Sequence, residues 1–482
     1  MISKNSIELI EPHYQKELLK KEYKQKIIKA KELLIYSRFD LAFKLLYLEN
    51  LNKEVDFSKN IYKEHIRAFS LGKYTENGNP KKNKIEKFIE DFQVTYESIK
   101  NNGFDRNKSL IPLSKNGTIA NGAHRVASAI YLDKNVECIE LDVENPNYNY
   151  KFFYNRNVSS KVLDIGATKF VEYGDNIYLA FIWPTAVGND KELENVIPNI
   201  IYRKEITLNP NGAHNLLSQI YYGEKWIGIP ENNFRGSQGK LVECFKNFNP
   251  VRIIAFQADS LEDVLKIKDK VRSIFNVGKN SIHITDSKDE AIRISRVVFN
   301  DNSVHLLNYG KPNKYLSKYQ KIDNFKKFIK ENKINKSDIL IDASLTLSCY
   351  GLREAKDTDF FYDLNNELKI KFDEINSHDE VLKYYENTKQ ELIYNPNNYF
   401  HFNELKFISF KQLYKMKKNR GEIKDKNDCR MMEAFIENNK IKMFINKSKQ
   451  NFYYEIIKAR YKLVLLLKFI GLYKIIKKLI TF

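Results

Sequence analysis

The sequence predicts a multidomain protein of the α/β (α+β) class, and three observations support this prediction. The chain has 482 residues, which exceeds the size at which a single hydrophobic core stops growing. Hydrophobic residues make up 43% and aromatic residues 13% of the chain, so it can bury a substantial core. Segments with helical periodicity alternate with short apolar runs that end at glycine or asparagine turns, which indicates strands.

The composition restricts the partners of the protein. A net charge of +19 suits nucleic acid, nucleotides, acidic glycans or an anionic membrane, although abundant lysine can equally form a neutral, solvated surface. The four cysteines are far apart and form no C-x-x-C pair, so we expect neither a zinc site nor disulfides. We expect no signal peptide and no transmembrane helix, because no uncharged apolar run approaches about 20 residues.

The first part of the chain contains a helical region and the elements of one small domain. Apolar residues recur at helical spacing among lysines and glutamates, and short apolar runs flank a Lys-Asn-Gly turn. The patterns predict helices over 12–50, over 82–100 and after Gly122, and strands over 110–113, 118–120 and 136–141.

The rest of the chain divides into a central region, a further region and a tail. Its clearest patterns predict a helix over 260–275, strands over 281–285 and 303–307, and a lysine-rich helix over 315–332. We therefore divide the chain into an N-terminal helical region (1–60), a first domain (61–165), a central mixed α/β domain (166–312), a further domain (313–445) and a basic apolar C-terminal helix (446–482).

The turn that contains Gly122, His124 and Arg125 is the first candidate phosphate site. It lies between a predicted strand and a predicted helix. A helix N-terminus offers unpaired N–H groups and partial positive charge, glycine allows close approach of the backbone, and arginine can bind a phosphate through two N–H groups. The alternative is that His124 packs locally and Arg125 pairs with an acid.

The segment Asn121-Gly-Ala-His-Arg125, with Ile111-Pro112 on a strand, resembles the ParB/sulfiredoxin-like superfamily over about residues 65–145. The resemblance implies binding of a nucleotide such as ATP or CTP at this turn, with kinase activity in some members. Ala123 replaces the catalytic cysteine of sulfiredoxins, which excludes their chemistry. In the kinase case Glu76 corresponds to the acid that takes a hydroxyl proton, and the alternative for Glu76 is a solvated surface position.

Asp357 and Asp359 form the second candidate site. Side chains two residues apart on a strand point to the same face, about 6–7 Å from each other at the backbone. Two carboxylates at such a distance repel unless a cation lies between them, and Mg²⁺ is typically held by one or two carboxylates together with substrate phosphates. The pattern also fits a turn with two solvated acids, because D-x-D is common.

The surroundings of the two aspartates resemble the polymerase-β-like nucleotidyltransferase superfamily over about residues 338–440. Asp342-Ala343-Ser344 corresponds to the Gly-Ser turn of that family, and Arg353 precedes the aspartates. Downstream residues resemble the helical part of the family: Lys417, Arg420, Lys424, Asp425 and Asp428. The resemblance implies that Asp357 and Asp359 bind Mg²⁺ and act in catalysis, and that Ser344 and Arg353 position phosphates.

Two features depart from the nucleotidyltransferase pattern. No glycine precedes Ser344, which weakens the phosphate-binding turn. The third carboxylate of the family is not evident, and the candidates are Asp373 or Glu374 on a predicted strand over 368–375 and, less readily, Glu404.

The central region contains two further groups of polar residues. The loop Asn233–Lys240 is basic, contains glycine and could hold an anion, although its spacing is not that of a Walker A motif. His283 lies on a predicted strand, and Asp286 and Glu290 follow it. His283 and Asp286 could be catalytic, and the alternative is a histidine whose hydrogen bonds are satisfied in the interior.

The tail is apolar and basic but only weakly amphipathic. It fits a helix that lies on an anionic membrane, and equally a helix that docks on another domain or subunit.

Two functional hypotheses follow, beside a third possibility that the protein is a non-catalytic scaffold at the membrane. The first is a cytoplasmic, Mg²⁺-dependent nucleotidyltransferase or kinase that uses a nucleoside triphosphate and a sugar or other small hydroxyl substrate in capsule or lipopolysaccharide assembly. A peripheral position at the inner face of the membrane would follow from the tail. The second is a nucleotide-dependent, nucleic-acid-binding regulator of ParB-like type. Nucleic acid is not the expected partner, because no recognition helix with clustered basic residues and no zinc finger is present.

Overall fold

Three separate sheets organise the chain in the computed structural model, which describes residues 9–18, 23–76, 79–363, 373–436, 440–473 and 476. Helices pack around each sheet. The predicted mixed α and β class, with several sheets, is therefore confirmed.

The first sheet is three-stranded. Its elements are α1 (Pro12–Leu18), β1 (Gln25–Lys29), α2 (Asp40–Glu49), α3 (Asp56–Phe69), α4 (Ile85–Asn102), β2 (Ile111–Leu113), α5 (Ala123–Tyr131) and β3 (Asn135–Glu140). The strand order is β1-β3-β2, with β3 antiparallel to β1 and parallel to β2. Gly122 precedes α5 in the left-handed conformation, with φ +90°.

The second sheet is four-stranded and antiparallel, in the order β5-β6-β4-β7. Its region comprises α6 (Tyr150–Tyr154), α7 (Ser160–Tyr173), β4 (Ile177–Ile182), α8 (Asp190–Val196), β5 (Ile200–Ile206), α9 (Pro210–Ile220), α10 (Ser237–Cys244), β6 (Val251–Gln257), α11 (Leu261–Phe275), β7 (Ile282–Ile284), α12 (Lys288–Val298) and α13 (Asp301–Tyr309). This strand order and connectivity are those of a split β-α-β unit, with α9 and α10 inserted between β5 and β6.

The third sheet is five-stranded and mixed. Its region comprises α14 (Ser317–Glu331), β8 (Ile339–Ile341), α15 (Ala343–Cys349), β9 (Thr358–Tyr362), β10 (Ile375–Ser377), α16 (Lys389–Tyr394), β11 (Tyr399–Phe402), β12 (Leu405–Ile408), α17 (Phe410–Arg420), α18 (Ile423–Ile436) and α19 (Lys440–Phe469). The order is β10-β9-β8-β12-β11, in which β9 is antiparallel to β8 and parallel to β10. The buried apolar strand β8 therefore lies at the centre, and its end carries the candidate site.

One continuous hydrophobic cluster joins the regions around the three sheets. It includes buried residues of the first region such as Ile111, of the second such as Leu179, and of the third such as Phe407. Polar contacts add to it, because the Glu391 carboxylate accepts hydrogen bonds from the backbone N–H groups at the start of α3, at 2.7 and 3.2 Å. The three regions therefore pack on one another through shared apolar surface.

Two predicted elements are wrong. The helix predicted over 12–50 is interrupted by β1, because β-branched Ile27 and Ile28 pair with β3 at the edge of the first sheet. The strand predicted over 303–307 is helix α13. Its N-cap is Asn300, whose side chain accepts a hydrogen bond from the Ser303 N–H at 2.9 Å.

Two further predicted strands are only partly seen in the structure. Of the strand predicted over 118–120, Ile119 forms an isolated bridge to Leu113. Most of the strand predicted over 368–375 lies outside the described residues, and β10 begins at Ile375.

A buried ionic cluster lies inside the first region. Asp40 accepts hydrogen bonds from Arg38 through both carboxylate oxygens, each at 2.8 Å, and from Lys44 at 2.8 Å. The Lys44 ammonium also lies 3.2 Å from Nε2 of His65, whose Nδ1 donates to a backbone carbonyl. All four side chains are buried, and although burial opposes ionisation, the two cations hold the pKa of Asp40 well below its usual range.

Replacing Asp40 by asparagine should strongly destabilise the protein, because Arg38 and Lys44 would stay buried without a carboxylate. We expect the free energy of unfolding to fall by about 3–5 kcal/mol, measured by urea denaturation with circular dichroism. The matched control is Glu262→Gln, whose carboxylate is 77% exposed in an ion pair with Lys266 and should contribute less than about 1 kcal/mol. Equal losses in the two variants would contradict this account.

Candidate functional site

The site is built where β8 and β9 lie side by side. Ile341 pairs with Phe360, and the N–H of the next residue, Asp342, donates to the carbonyl of Asp359 at 2.8 Å. Asp342 and Asp359 are therefore neighbours across the two strands. Side chains at such positions lie about 4.5–5.5 Å apart at Cβ.

The Asp342 carboxylate is fully buried and bonded at both oxygens. His378 donates from Nδ1 to Oδ2 at 2.8 Å, and the Tyr385 hydroxyl donates to Oδ1 at 2.6 Å. Burial opposes protonation of His378, but the hydrogen bond and the charge of Asp342 outweigh it and raise the pKa of His378 above its ordinary value. The ring is thereby oriented with its Nδ1 proton on Asp342.

The turn between β8 and α15 contains no glycine but has a left-handed backbone conformation. Ala343 adopts the left-handed conformation, with φ +50°, at a strain of about 1–2 kcal/mol for an L-residue. The Ser344 hydroxyl then donates to Oδ1 of Asp357 at 3.0 Å. Alanine in this sequence thus takes up a conformation that favours glycine, and Ser344 orients one of the two aspartates.

Three acids converge at this point. Burial, followed by the charges of Asp357 and Asp342, raises the pKa of Asp359 to about 6, and the charges of His378 and Lys417 oppose the rise. A buried carboxyl with a perturbed pKa and neighbouring charges is a candidate functional group. A cation between the carboxylates would relieve the repulsion.

A chain of ion pairs connects α17 and α18 with the turn after α15. Arg353 binds Asp428 through two N–H groups, at 2.9 and 3.3 Å, and Lys417 bridges Asp428 at 2.9 Å and Asp425 at 3.1 Å. Arg420 binds Asp425 through two N–H groups, at 2.7 and 2.8 Å. These ion pairs therefore link Arg353 with four of the downstream residues named in the sequence analysis: Lys417, Arg420, Asp425 and Asp428. In this arrangement, Arg353 is committed to Asp428 rather than presented to a phosphate.

The described residues contain no group of three or more histidine, cysteine, aspartate or glutamate side chains arranged to hold a metal ion. Two carboxylates, Asp357 and Asp359, still fit Mg²⁺, which is commonly bound by one or two carboxylates with the remaining ligands from phosphates and water. Burial is the main cause of the raised pKa of Asp359, and the charges of Asp357 and Asp342 add to it; this concentration of negative charge supports the fit.

The acids proposed as a third carboxylate lie elsewhere. The Glu374 side chain is 65% exposed and pairs with Lys321. Glu404 pairs with Lys336 at 2.8 Å, and Asp373 is exposed. The third acid whose charge reaches Asp359 is Asp342 instead.

His378 and Tyr385 were not identified from the sequence. Each lies in a segment with no recognisable motif, and their partner Asp342 is 36 and 43 residues away, respectively. No local spacing connects residues that far apart.

The turn at Gly122 differs from an open phosphate site. Gly122 has φ +90°, a conformation that strains any other residue, and a Cβ there would also lie 2.8 Å from the Arg125 guanidinium and from the Ile111 side chain, so the turn favours glycine. His124 is bonded through Nε2 to the Tyr62 hydroxyl at 2.8 Å, and burial lowers the pKa of His124 well below its usual value. Arg125 forms an ion pair with Glu11 at 2.5 Å. Both polar side chains therefore have protein partners.

Glu76 lies near this turn. It pairs with Lys82 at 3.1 Å and accepts a hydrogen bond from Asn79 at 3.2 Å. Burial is the main reason that the pKa of Tyr62, the partner of His124, is raised, and the charge of Glu76 adds to the rise. Glu76 therefore acts electrostatically on Tyr62, which is hydrogen-bonded to His124.

Comparisons of the chain with models of protein families, with curated proteins and with solved structures find no match. The resemblances to the ParB/sulfiredoxin-like and nucleotidyltransferase superfamilies therefore stay predictions. Function has to be inferred from the chemistry of the residues themselves.

Replacing Asp359 by asparagine should stabilise the protein in a pH-dependent way. The folded pKa of about 6 exceeds the ordinary value of 3.8, so the native state binds the extra proton and stability falls as pH rises from about 4 to about 6. Without divalent ions, we expect the variant to be more stable than the original by about 1–3 kcal/mol at pH 7.5 and similar to it at pH 4.

Urea denaturation at the two pH values measures this difference. Asp379→Asn is the control, because its carboxylate is 43% exposed and paired with Lys389. If the stability difference between Asp359→Asn and the original protein is the same at both pH values, the raised pKa assigned to Asp359 is contradicted.

Proposed function

We propose that the protein is a Mg²⁺-dependent nucleotidyltransferase or phosphotransferase that acts on the hydroxyl group of a sugar or another small molecule. The convergence of Asp342, Asp357 and Asp359 at the end of β8, beside Ser344 and His378, carries this proposal. Crowded carboxylates next to an oriented histidine are suited to phosphoryl chemistry, in which phosphate charge is neutralised and a hydroxyl proton is removed.

The residues divide the work as follows. Asp357, oriented by Ser344, and Asp359 would hold Mg²⁺, which neutralises charge on the phosphates of a bound nucleoside triphosphate. The Asp342–His378 hydrogen bond leaves Nε2 of His378 as the position that accepts the proton of the attacking hydroxyl. The Asp342 carboxylate that raises the pKa of His378 also makes its imidazole a stronger base.

The N-terminal turn supports a second nucleotide site less directly. Arg125 would exchange its ion pair with Glu11 for a phosphate, while His124 stays bonded to Tyr62. The structural features of the turn that favour phosphate are the left-handed Gly122 and the start of α5 behind it.

We place the reaction in the cytoplasm, in the assembly of a bacterial capsule or lipopolysaccharide. The combination of the two resemblances with a basic apolar tail supports this placement. The acceptor is then a sugar or glycan hydroxyl, and the donor is ATP, CTP or another nucleoside triphosphate.

The catalytic proposal is tested by screening the purified protein with ATP, CTP, GTP and UTP in the presence of Mg²⁺. We expect at least one nucleotide to bind and turn over, and Asp357→Asn and Asp359→Asn each to lower the rate by about 100-fold or more. His378→Asn should lower the rate and remove one ionisation from the pH dependence of the rate. Arg125→Ala should weaken binding of a second nucleotide without abolishing turnover.

Glu331→Gln is the control for this screen, because Glu331 lies on α14 in an ion pair at 3.8 Å with Lys327 of the same helix. Wild-type rates in both aspartate variants, or no binding of any nucleotide, would refute the proposal.

Helix α19 supports a position at the surface of a membrane. Its Ile457 is buried, and Tyr461 packs against Gly239 of α10, so this part of the helix is docked on the protein. Beyond it Leu463, Leu466 and Phe469 are 54%, 55% and 90% exposed. No helix in the described part of the chain is long and apolar enough to cross a membrane. Exposed lysines among the apolar residues favour anionic lipid as the occupant.

Binding to lipid vesicles tests this position. We expect the protein to sediment with vesicles that contain phosphatidylglycerol and not with pure phosphatidylcholine, and the triple substitution Leu463→Ser, Leu466→Ser and Phe469→Ser to abolish it. Leu71→Ser with Val94→Ser is the control, because these side chains are 69% and 64% exposed elsewhere. Unchanged sedimentation of the triple variant would show that α19 does not contact the lipid.

A further inference from the structure

A polar pocket of about 370 Å³ lies in the central region, apart from the acidic site. It brings together two sets of polar residues that lie far apart in the sequence. Lys240, at the end of the basic loop, lines the pocket together with His283, Asp286 and Glu290, which follow from β7 to α12. The helices α11 and α12 supply Arg272 and further basic residues, and their convergence produces a site that no local motif describes.

Positive charge predominates in this pocket. Five basic residues line it against three acidic ones: Lys240, Lys268, Arg272, Lys279 and Arg293, with Glu224, Asp286 and Glu290. Two of the three acids already have partners within the pocket. Glu290 accepts from the Asp286 N–H at 2.9 Å and lies 3.2 Å from Nε2 of His283, and the Asp286 carboxylate lies 3.8 Å from Lys268. Of the remaining basic groups, Arg272 is paired with Asp269 at 2.9 Å, so the excess positive charge of the pocket comes mainly from Lys240, Lys279 and Arg293.

Two of these cations bind only neutral partners. Lys240 donates to the Lys279 carbonyl at 2.9 Å and to the Asn280 side chain at 3.3 Å. Arg293 donates to the backbone carbonyls of residues 219 and 220. Within the described ranges neither forms an ion pair, and burial lowers the pKa of both. Half-buried cations held by carbonyls, with N–H groups to spare, are ready to receive an anion.

Two side-chain contacts support the wall of the pocket. The Tyr221 ring packs edge-on against His283, with 5.0 Å between ring centroids, and the His283–Glu290 contact ties β7 to α12. In the described part of the structure, Nε of Arg272 is buried and makes no hydrogen bond. A donor without an acceptor costs free energy unless a ligand supplies one.

We propose that this pocket binds the phosphate group of a small phosphorylated molecule. Several convergent N–H donors on lysine and arginine match the oxygens of a phosphate, and the volume is that of a small-molecule site. The polar lining favours a sugar phosphate or pyrophosphate over an apolar ligand. This site is independent of the carboxylates at the end of β8.

Calorimetric titration of the full-length protein with inorganic phosphate, pyrophosphate and glucose 1-phosphate tests the proposal. We expect saturable binding of at least one of them, with Kd raised about tenfold in Lys240→Gln and in Arg293→Gln. Lys279 lies on the exposed rim of the pocket, and Lys279→Gln should raise Kd severalfold. Because this substitution is at the surface, it still tests the proposal if Arg293→Gln fails to fold. Lys266→Gln is the matched control on α11, because Lys266 is 61% exposed and pairs with Glu262 outside the pocket.

Asp359→Asn separates this site from the proposed catalytic centre and should leave Kd unchanged. The proposal is overturned if no phosphate compound binds, if Kd is the same in Lys240→Gln and Lys266→Gln, or if Asp359→Asn abolishes binding. Equal competition by acetate would also overturn it, because the pocket would then recognise any small anion.

Discussion

The buried carboxylate of Asp342 is the constraint around which the C-terminal sheet is organised. A carboxylate with no exposed surface needs donors at its oxygens, because leaving it unpaired would cost several kcal/mol. His378 and Tyr385 meet this need, and both lie just beyond β10. Their bonds help to keep β10 beside β9 and so bring Asp359 and Asp357 to the same place as Asp342.

Charge of opposite sign is segregated into two places in the molecule. Acidic side chains predominate at the end of β8. The basic Lys417 and Arg420 do not neutralise them, because both form ion pairs with Asp425 or Asp428. Bases predominate in the central pocket, where Lys240 and Arg293 bind neutral partners. The first arrangement suits a cation with its phosphates and the second suits a phosphate alone, so the two proposals concern chemically distinct sites on one polypeptide.

Local patterns predicted much of the fold. The helix expected over 260–275 is α11, and the strand expected over 281–285 contains β7, because each has an uninterrupted period and clear turn residues at its ends. Prediction failed where pairing or capping overrode periodicity. Ile27 and Ile28 lie in a strand because they pair with β3. Asn300 caps a helix at a place where alternating apolar residues had indicated a strand.

By itself, the sequence determined the mixed fold class, the pair of aspartates and the basic and acidic residues that follow in α17 and α18, because spacing within a few residues carries that information. Only the tertiary structure decided that Asp342 is the acid next to Asp359, that His378 and Tyr385 hold it, and that Lys240 meets His283 in one pocket. These contacts join residues about 17 to 43 positions apart. Their geometry depends on strand pairing and helix packing, which no local spacing encodes.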